Sequence, residues 1–137
     1  MIKKSKLIYQ ELSYKINGIL FGVANELGLY KNEKQYCDAI ERFLKVAGIN
    51  YEREKILPVS FNGERSGRNK VDFLIEERII LEVKAKPFVT RQDYYQTRRY
   101  LGALSKKLGI LVNMRRYALA PKRVLNSEAE EEDIEIG

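Results

Sequence analysis

Histidine is absent from this chain of 137 residues, and Cys37 is its only cysteine. Without histidine there is no His-ligated metal site, no Ser–His or Cys–His nucleophile pair and no histidine general base. Catalysis by such a chain would have to use carboxylates, lysine, arginine, tyrosine or a metal ion held by oxygen ligands. A lone cysteine cannot form an intrachain disulfide, which is typical of a protein in the reducing cytosol.

Long apolar segments are missing as well. No run of 18 or more apolar residues occurs, so the sequence predicts no membrane-spanning helix. Residues 1–6 are basic, like the start of an export signal. The segment that follows them becomes polar too early to be the apolar part of such a signal. We therefore expect a cytoplasmic protein with no membrane partner, and the length suits one domain.

Charge is abundant and unevenly distributed. The chain has 25 Lys and Arg against 19 Asp and Glu, a net charge of +6. Acidic residues crowd segment 127–137, which contains no Lys or Arg, and leave the rest more basic. We expect a single domain over residues 1–126 and an acidic, disordered tail over 127–137. A basic body suggests a polyanionic partner, and a solvated charged surface explains the composition equally well.

Apolar residues at spacings of three and four predict a first helix over residues 8–27, ended by Gly28. Gly18 and Gly22 inside it suggest a closely packed partner. A second helix is predicted from Asn32, which with Gln35 matches a capping box, to Gly48. Glu33 lies on the line of its apolar stripe; a favourable charge at the helix N-terminus is the alternative explanation.

Strand patterns follow the two helices. Segment 51–61 alternates loosely and contains Pro58, which favours an edge strand. Segments 71–75 and 79–85 predict a hairpin. A third helix over about 91–107, capped by Thr90, precedes a buried strand at 109–113 and a short strand at 123–125. This order predicts an α/β sandwich around a small mixed sheet.

The hairpin carries the most informative side chains. Glu82 and Lys84 share one face of the second strand, because side chains alternate along a strand. If three residues separate Ile75 from its partner Ile79, Asp72 lies directly opposite Glu82, whereas a two-residue loop places the two acids on opposite faces. We predict the three-residue loop.

Two neighbouring carboxylates repel each other unless a cation lies between them. Oxygen ligands suit Mg²⁺ or Mn²⁺, which can activate a bound water and stabilise an anionic transition state. Lys84 can position that water or neutralise a phosphate. These residue types are the equipment of metal-dependent phosphodiester hydrolysis, and the alternative is an ordinary hairpin with an exposed Glu–Lys pair.

Asp72 followed by Glu82-Val83-Lys84 resembles the core motif of the PD-(D/E)XK nuclease superfamily, although Val71 replaces the proline. The wider pattern resembles its GxxExxY family, in which matching segments occur in the same order. These are Glu33, Tyr36, Ala39 and Ile40, then Leu57-Pro58-Val59, the hairpin, Gln96 to Leu101, Gly109 to Asn113, and Arg123-Val124. Two departures are Tyr30 in place of the family's glycine and the missing histidine before Gln96.

The resemblance implies a restriction-endonuclease-like core, a small mixed β-sheet flanked by helices. It implies an active site of Glu33, Asp72, Glu82, Lys84 and Gln96, with Mg²⁺ (or Mn²⁺) held by Asp72 and Glu82 and with Glu33 as a further ligand or orienting base. The residues expected to contact nucleic acid are Arg68, Lys86, Arg91, Arg99 and Tyr100.

The function expected from these features is metal-dependent hydrolysis of nucleic acid, with DNA as the expected substrate. A homodimer would allow two strands to be cut. The alternatives are a nucleic-acid-binding protein that does not cut, a nuclease of the junction-resolvase type, and a protein whose basic face binds an acidic partner.

Overall fold

A computed structural model describes residues 9–127, which form one mixed sheet with helices on both faces. The elements are α1 (Gln10–Leu27), α2 (Glu33–Ala47), β1 (Tyr51–Ile56), β2 (Lys70–Ile75), β3 (Ile79–Lys84), α3 (Arg91–Leu104), β4 (Leu108–Asn113) and β5 (Lys122–Leu125). The sheet order is β1-β2-β3-β4-β5, with β3 and β4 parallel and the other neighbours antiparallel. The predicted fold class is confirmed.

Two calls extend beyond the described residues. The acidic tail predicted at 127–137 lies outside them except for Ser127, as does the start of the first predicted helix at Ile8. Among the residues that the structure describes, no helix is long and apolar enough to cross a membrane.

The helix boundaries follow local capping chemistry. At α2, the Asn32 side chain accepts the Gln35 N–H at 2.8 Å, and Gln35 Oε1 accepts the Asn32 N–H at 2.9 Å. The predicted capping box is therefore confirmed, as is the end of α1 at Gly28. The predicted end of α3 near residue 107 was wrong, because Ser105 adopts a left-handed φ of 55° and turns the chain toward β4 three residues earlier.

Alternation along the strands divides the core between the two faces of the sheet. Leu81 and Val83 pack with α1 and α2 in one cluster, as predicted for this face of the hairpin. Ile80, from the same strand, packs with α3 and with Leu111 in a second cluster. Strand β3 is consequently buried on both faces, and Glu82 points toward the α3 side.

The first strand is shorter than predicted. It ends at Ile56, and the remainder of the predicted segment 51–61 belongs to a loop that contains Pro58 and the exposed Val59 and Phe61. Its predicted edge position is confirmed. Arg53 fixes this edge to α2 through ion pairs with Asp38 at 2.7 Å and Glu41 at 2.8 Å.

Two glycines lie where a neighbouring side chain packs closely, and a third glycine has no close neighbour. A Cβ at Gly22 would lie 2.8 Å from Phe43 Cε2, and one at Gly109 would lie 3.1 Å from Thr97 Cγ2. Gly22 thus brings α1 against α2, and Gly109 brings α3 against β4. The packing partner expected at Gly18 was wrong, since a Cβ there meets nothing within 4 Å.

Gly18→Ala should therefore stabilise the protein, by roughly 0.5–1 kcal/mol, because alanine favours the helix and meets no neighbour. Gly22→Ala adds the same helix propensity but must displace the Phe43 ring. We expect its free energy of unfolding, measured by urea denaturation, to lie below that of Gly18→Ala. Equal stabilisation by the two substitutions would contradict the packing described here.

Candidate active site

The hairpin of β2 and β3 has the register that the sequence predicts. A three-residue loop, residues 76–78, separates the two strands. The paired residues are Ile75–Ile79, Leu74–Ile80 and Phe73–Leu81. Asp72 is the next residue along β2, and it lies opposite Glu82 in this register.

Regular strand pairing stops at these two acids. The N–H of Asp72 donates to Glu82 Oε2 at 2.9 Å, and the N–H of Val83 donates to Asp72 Oδ2 at 2.7 Å. Each carboxylate therefore accepts a backbone donor of the opposite strand. The side chains take the place of ladder hydrogen bonds and hold the two acids together at this end of the hairpin.

Strand β2 also rotates at Asp72. Phe73 packs in the α1–α2 cluster, whereas Val71, two residues away, packs in the α3 cluster. On the β1 side, Asp72 lies opposite Glu54, and these two residues are not paired although the residues before and after them are. The φ of Glu54 is 56°. A left-handed non-glycine residue is strained, and such strain is concentrated at functional sites.

Burial raises the pKa values of both acids, and repulsion from neighbouring carboxylates adds to the rise. Glu82 is only 3% exposed, and burial, with the neighbouring Asp72 charge, raises its pKa to about 8. Burial also raises the pKa of Asp72, and the Val83 hydrogen bond opposes this rise. Close to neutral pH the pair must therefore keep a proton or gain a cation.

Lys84 is the cation that the strand itself supplies. It ends β3 on the same face as Glu82, and its charge lowers the pKa values of both acids. Among residues 9–127, no carboxylate forms an ion pair with Lys84 within 4.0 Å. Its ammonium is thus available to a water or a phosphate.

Helix α3 carries Tyr100 and Gln96 and packs on the Glu82 side of the sheet. Burial raises the pKa of the Tyr100 hydroxyl, and the negative charges of Glu82 and Asp72 raise it further. Gln96 is four residues earlier, so it lies on the same side of the helix. Both side chains are partly exposed, and the role of Gln96 in the site stays a prediction.

Glu33 is less closely associated. It is the exposed first residue of α2, and its charge raises the pKa values of Asp72 and Glu82. Within the described part of the chain, however, no group of three or more Asp, Glu or Cys side chains could hold a metal ion. The structure brings Asp72 and Glu82 together, and Glu33 as a third ligand stays a prediction.

Lys86 makes an ion pair that the sequence analysis missed. Its ammonium lies 2.6 Å from Asp93 Oδ2, and the same oxygen accepts the Thr90 N–H at 2.8 Å. Burial raises the pKa of Asp93, but these donors outweigh it and the net pKa is lowered. Thr90 and Asp93 form a capping box at α3, a spacing readable from the sequence. The charge of Lys86 is therefore shared with Asp93 before any nucleic acid binds.

The other predicted contacts to nucleic acid are exposed. Arg68 lies in the loop between β1 and β2, and Arg91 and Arg99 lie on α3. The positive charge of Arg99 lowers the pKa of Tyr100, so this arginine lies close to the α3 side of the site. Their contacts with nucleic acid stay predictions.

The donor atoms of the acid pair fit a hard divalent cation. Among the hydrogen bonds of the described residues, none ends on Asp72 Oδ1 or Glu82 Oε1. Mg²⁺ commonly binds one or two carboxylates and completes its shell with water and phosphate. Burial and the charge of Asp72 raise the pKa of the Cys37 thiol, which disfavours its thiolate form.

The sequence matches the family model of the PD-(D/E)XK nuclease superfamily over residues 10–124. The chain therefore belongs to this superfamily, whose nucleases act on phosphodiester bonds and generally use divalent metal ions. No curated protein and no solved structure matches the chain. The narrower GxxExxY resemblance stays a prediction.

The raised pKa of Glu82 predicts an unusual pH dependence of stability. Because its pKa rises on folding from 4.5 to about 8, this group stabilises the fold below pH 4.5 and loses that contribution as the pH rises toward 8. In EDTA, wild-type protein should lose a few kcal/mol of unfolding free energy across this range.

Glu82→Gln removes the titration and keeps an oxygen for the Asp72 N–H. Its stability, measured by urea denaturation from pH 5 to pH 9, should fall less with pH, and the variant should exceed wild type at pH 8. Parallel stability curves for the two proteins would contradict the buried acid pair.

Proposed function

We propose that the protein is a divalent-metal-dependent nuclease that hydrolyses phosphodiester bonds of DNA. The observation that carries the proposal is the Asp72–Glu82 pair at the open end of the β2–β3 hairpin, with Lys84 on the Glu82 face. Membership of the superfamily supports the reaction class. The basic net charge of +6 supports a polyanionic substrate.

Asp72 and Glu82 would hold the metal ion, Mg²⁺ or Mn²⁺, through the oxygens that accept no backbone hydrogen bond. When bound, the ion supplies a water of lowered pKa and positive charge beside the phosphate. The acid pair suits this role, since a cation would offset the burial and the repulsion that raise the two pKa values.

The side chains around the pair would orient the reactants. Hydrolysis joins a water oxygen to phosphorus and breaks the bond between phosphorus and the leaving oxygen. The attacking water loses a proton, and the leaving oxygen gains one. Lys84 would hold the attacking water or neutralise a phosphate oxygen, and Gln96 would orient Lys84 or the substrate. Glu33, exposed at the start of α2, would act as an orienting base or complete the metal shell through water.

A cleavage assay tests this proposal. Purified protein is incubated with plasmid, linear duplex, single-stranded DNA, a four-way junction and RNA, each with Mg²⁺, Mn²⁺ or EDTA. We expect cleavage only with metal, and a loss of at least ~100-fold in Asp72→Asn and Lys84→Ala, as for other groups that stabilise transition-state charge. The substrate panel also separates a junction resolvase from a less selective nuclease.

Two control variants remove charge far from the pair. Glu26→Gln and Lys45→Ala alter exposed residues on α1 and at the end of α2, and both should cleave like wild type. Salt-dependent DNA binding without cleavage, equal in wild type and Asp72→Asn, would contradict the proposal and identify a binding protein that does not cut.

A further inference from the structure

A cavity of about 420 Å³ opens on the α3 face of the sheet, beyond the residues assigned to catalysis. It lies where the parallel strands β3 and β4 end, an edge at which open α/β sheets commonly bind ligands. Its walls come from the loop after β3, the end of β4 with its following loop, and the start of β5. This volume lies within the ~300–1,000 Å³ of small-molecule sites.

The cavity adjoins the acid pair. Its wall residue Leu111 is paired with Glu82 across the parallel strands, and Asn113 is paired with Lys84. Leu111 and Glu82 point to the same face, and neighbouring strands lie ~4.8 Å apart. A phosphodiester at the acids therefore has one of its adjoining nucleotides within reach of the cavity.

Asn113 fixes the two loops that form the cavity. Its side-chain Nδ2 donates to the Lys86 carbonyl at 2.8 Å, and its Oδ1 accepts the N–H groups of Lys86 and Arg115, each at 3.2 Å. The loop after β3 and the loop after β4 are thus joined by one amide. Asn113 is also paired with Lys84, the last residue of β3, so the joined loops begin directly beside that lysine.

The lining combines exposed aromatic rings with positive charge. Phe88 is 78% exposed and Tyr117 is 92% exposed, although burial would favour both rings. Arg115, Arg116 and Lys122 also line the cavity, and none of the described lining residues is acidic. Among the described residues, Arg115 Nε is a buried donor with no hydrogen-bond partner.

Aromatic faces beside cations are the chemistry of single-strand recognition, in which bases stack on rings and phosphates meet Lys or Arg. A base within a duplex offers no free face and would first have to leave the stack. We propose that this cavity binds an unpaired nucleotide next to the scissile phosphodiester, so that the substrate is DNA that is single-stranded at the cut. The inference rests on the proposed function for the cleaved bond, but the binding itself needs no cleavage.

Fluorescence anisotropy of the full chain in EDTA measures binding without cleavage. The probe is a fluorescein-labelled single strand of roughly 12 nucleotides, compared with the same sequence as a blunt duplex. We expect the single strand to bind at least ~10-fold more tightly. Tyr117→Ala and Phe88→Ala should each weaken single-strand binding by roughly 5- to 150-fold, the range for loss of one stacked base, and leave duplex binding unchanged.

Matched substitutions separate stacking from other effects. Tyr117→Phe keeps the ring and should bind like wild type. Tyr30→Ala removes a tyrosine that is 82% exposed and absent from the cavity lining, and should also bind like wild type. Unchanged melting temperatures would show that the exposed side chains do not act through folding.

The outcomes distinguish this inference from the proposed function. Single-strand binding that depends on Tyr117 and Phe88, without metal-dependent cleavage, would support the cavity and overturn the nuclease. Cleavage accompanied by equal affinity for the two DNA forms, or by wild-type affinity in both alanine variants, would overturn the cavity assignment and leave the nuclease intact.

Discussion

The site depends on an exchange of hydrogen bonds at one end of the β2–β3 hairpin. The buried carboxylate of Glu82 and the half-buried one of Asp72 are unfavourable neighbours, and buried backbone N–H groups without partners are unfavourable too. Each carboxylate accepts an N–H of the opposite strand, so each hydrogen bond pairs one backbone donor and stabilises one negative charge. Burial, together with repulsion from neighbouring carboxylates, still raises both pKa values, and a divalent cation would stabilise the charged forms. The strained Glu54 and the rotation of β2 between Val71 and Phe73 accompany this local departure from regular pairing.

Helix α3 is fixed to the sheet beside the acid pair by two contacts. Gly109 lets Thr97 approach the sheet closely, and Asp93 ties the first turn of α3 to Lys86, just beyond β3. Tyr100, on the same helix, is half-buried, and the negative charges of Glu82 and Asp72 add to the rise of its pKa. The ion pair also has an electrostatic consequence. Asp93 partly neutralises Lys86, so Lys84, which has no such partner among the described residues, is the better candidate to meet a phosphate.

Features that depend on neighbouring residues were readable from the sequence. The three-residue loop determined the hairpin register, and Asn32 with Gln35 determined the start of α2. What depends on three-dimensional packing was not readable. Helical periodicity could not show that Phe43 would meet Gly22 while Gly18 faces open space, and nothing near Ser105 marked the left-handed turn that ends α3. The replacement of ladder bonds at Asp72 likewise depends on burial by elements distant in sequence, and the cavity combines three separated segments.

The acid pair and the cavity are opposite in charge, and this contrast addresses a general difficulty for such a nuclease. Carboxylates that attract a metal also repel the phosphates of the substrate, so attraction must come from elsewhere. Arg115, Arg116 and Lys122 supply positive charge on the neighbouring strand and loop, at the sheet edge where β3 and β4 end together. Because β3 and β4 are parallel, the loops that follow them meet at one edge, and the topology itself brings a positively charged surface beside the acids. An antiparallel β4 would have sent its following loop to the far end of the sheet and left the acids without that neighbour.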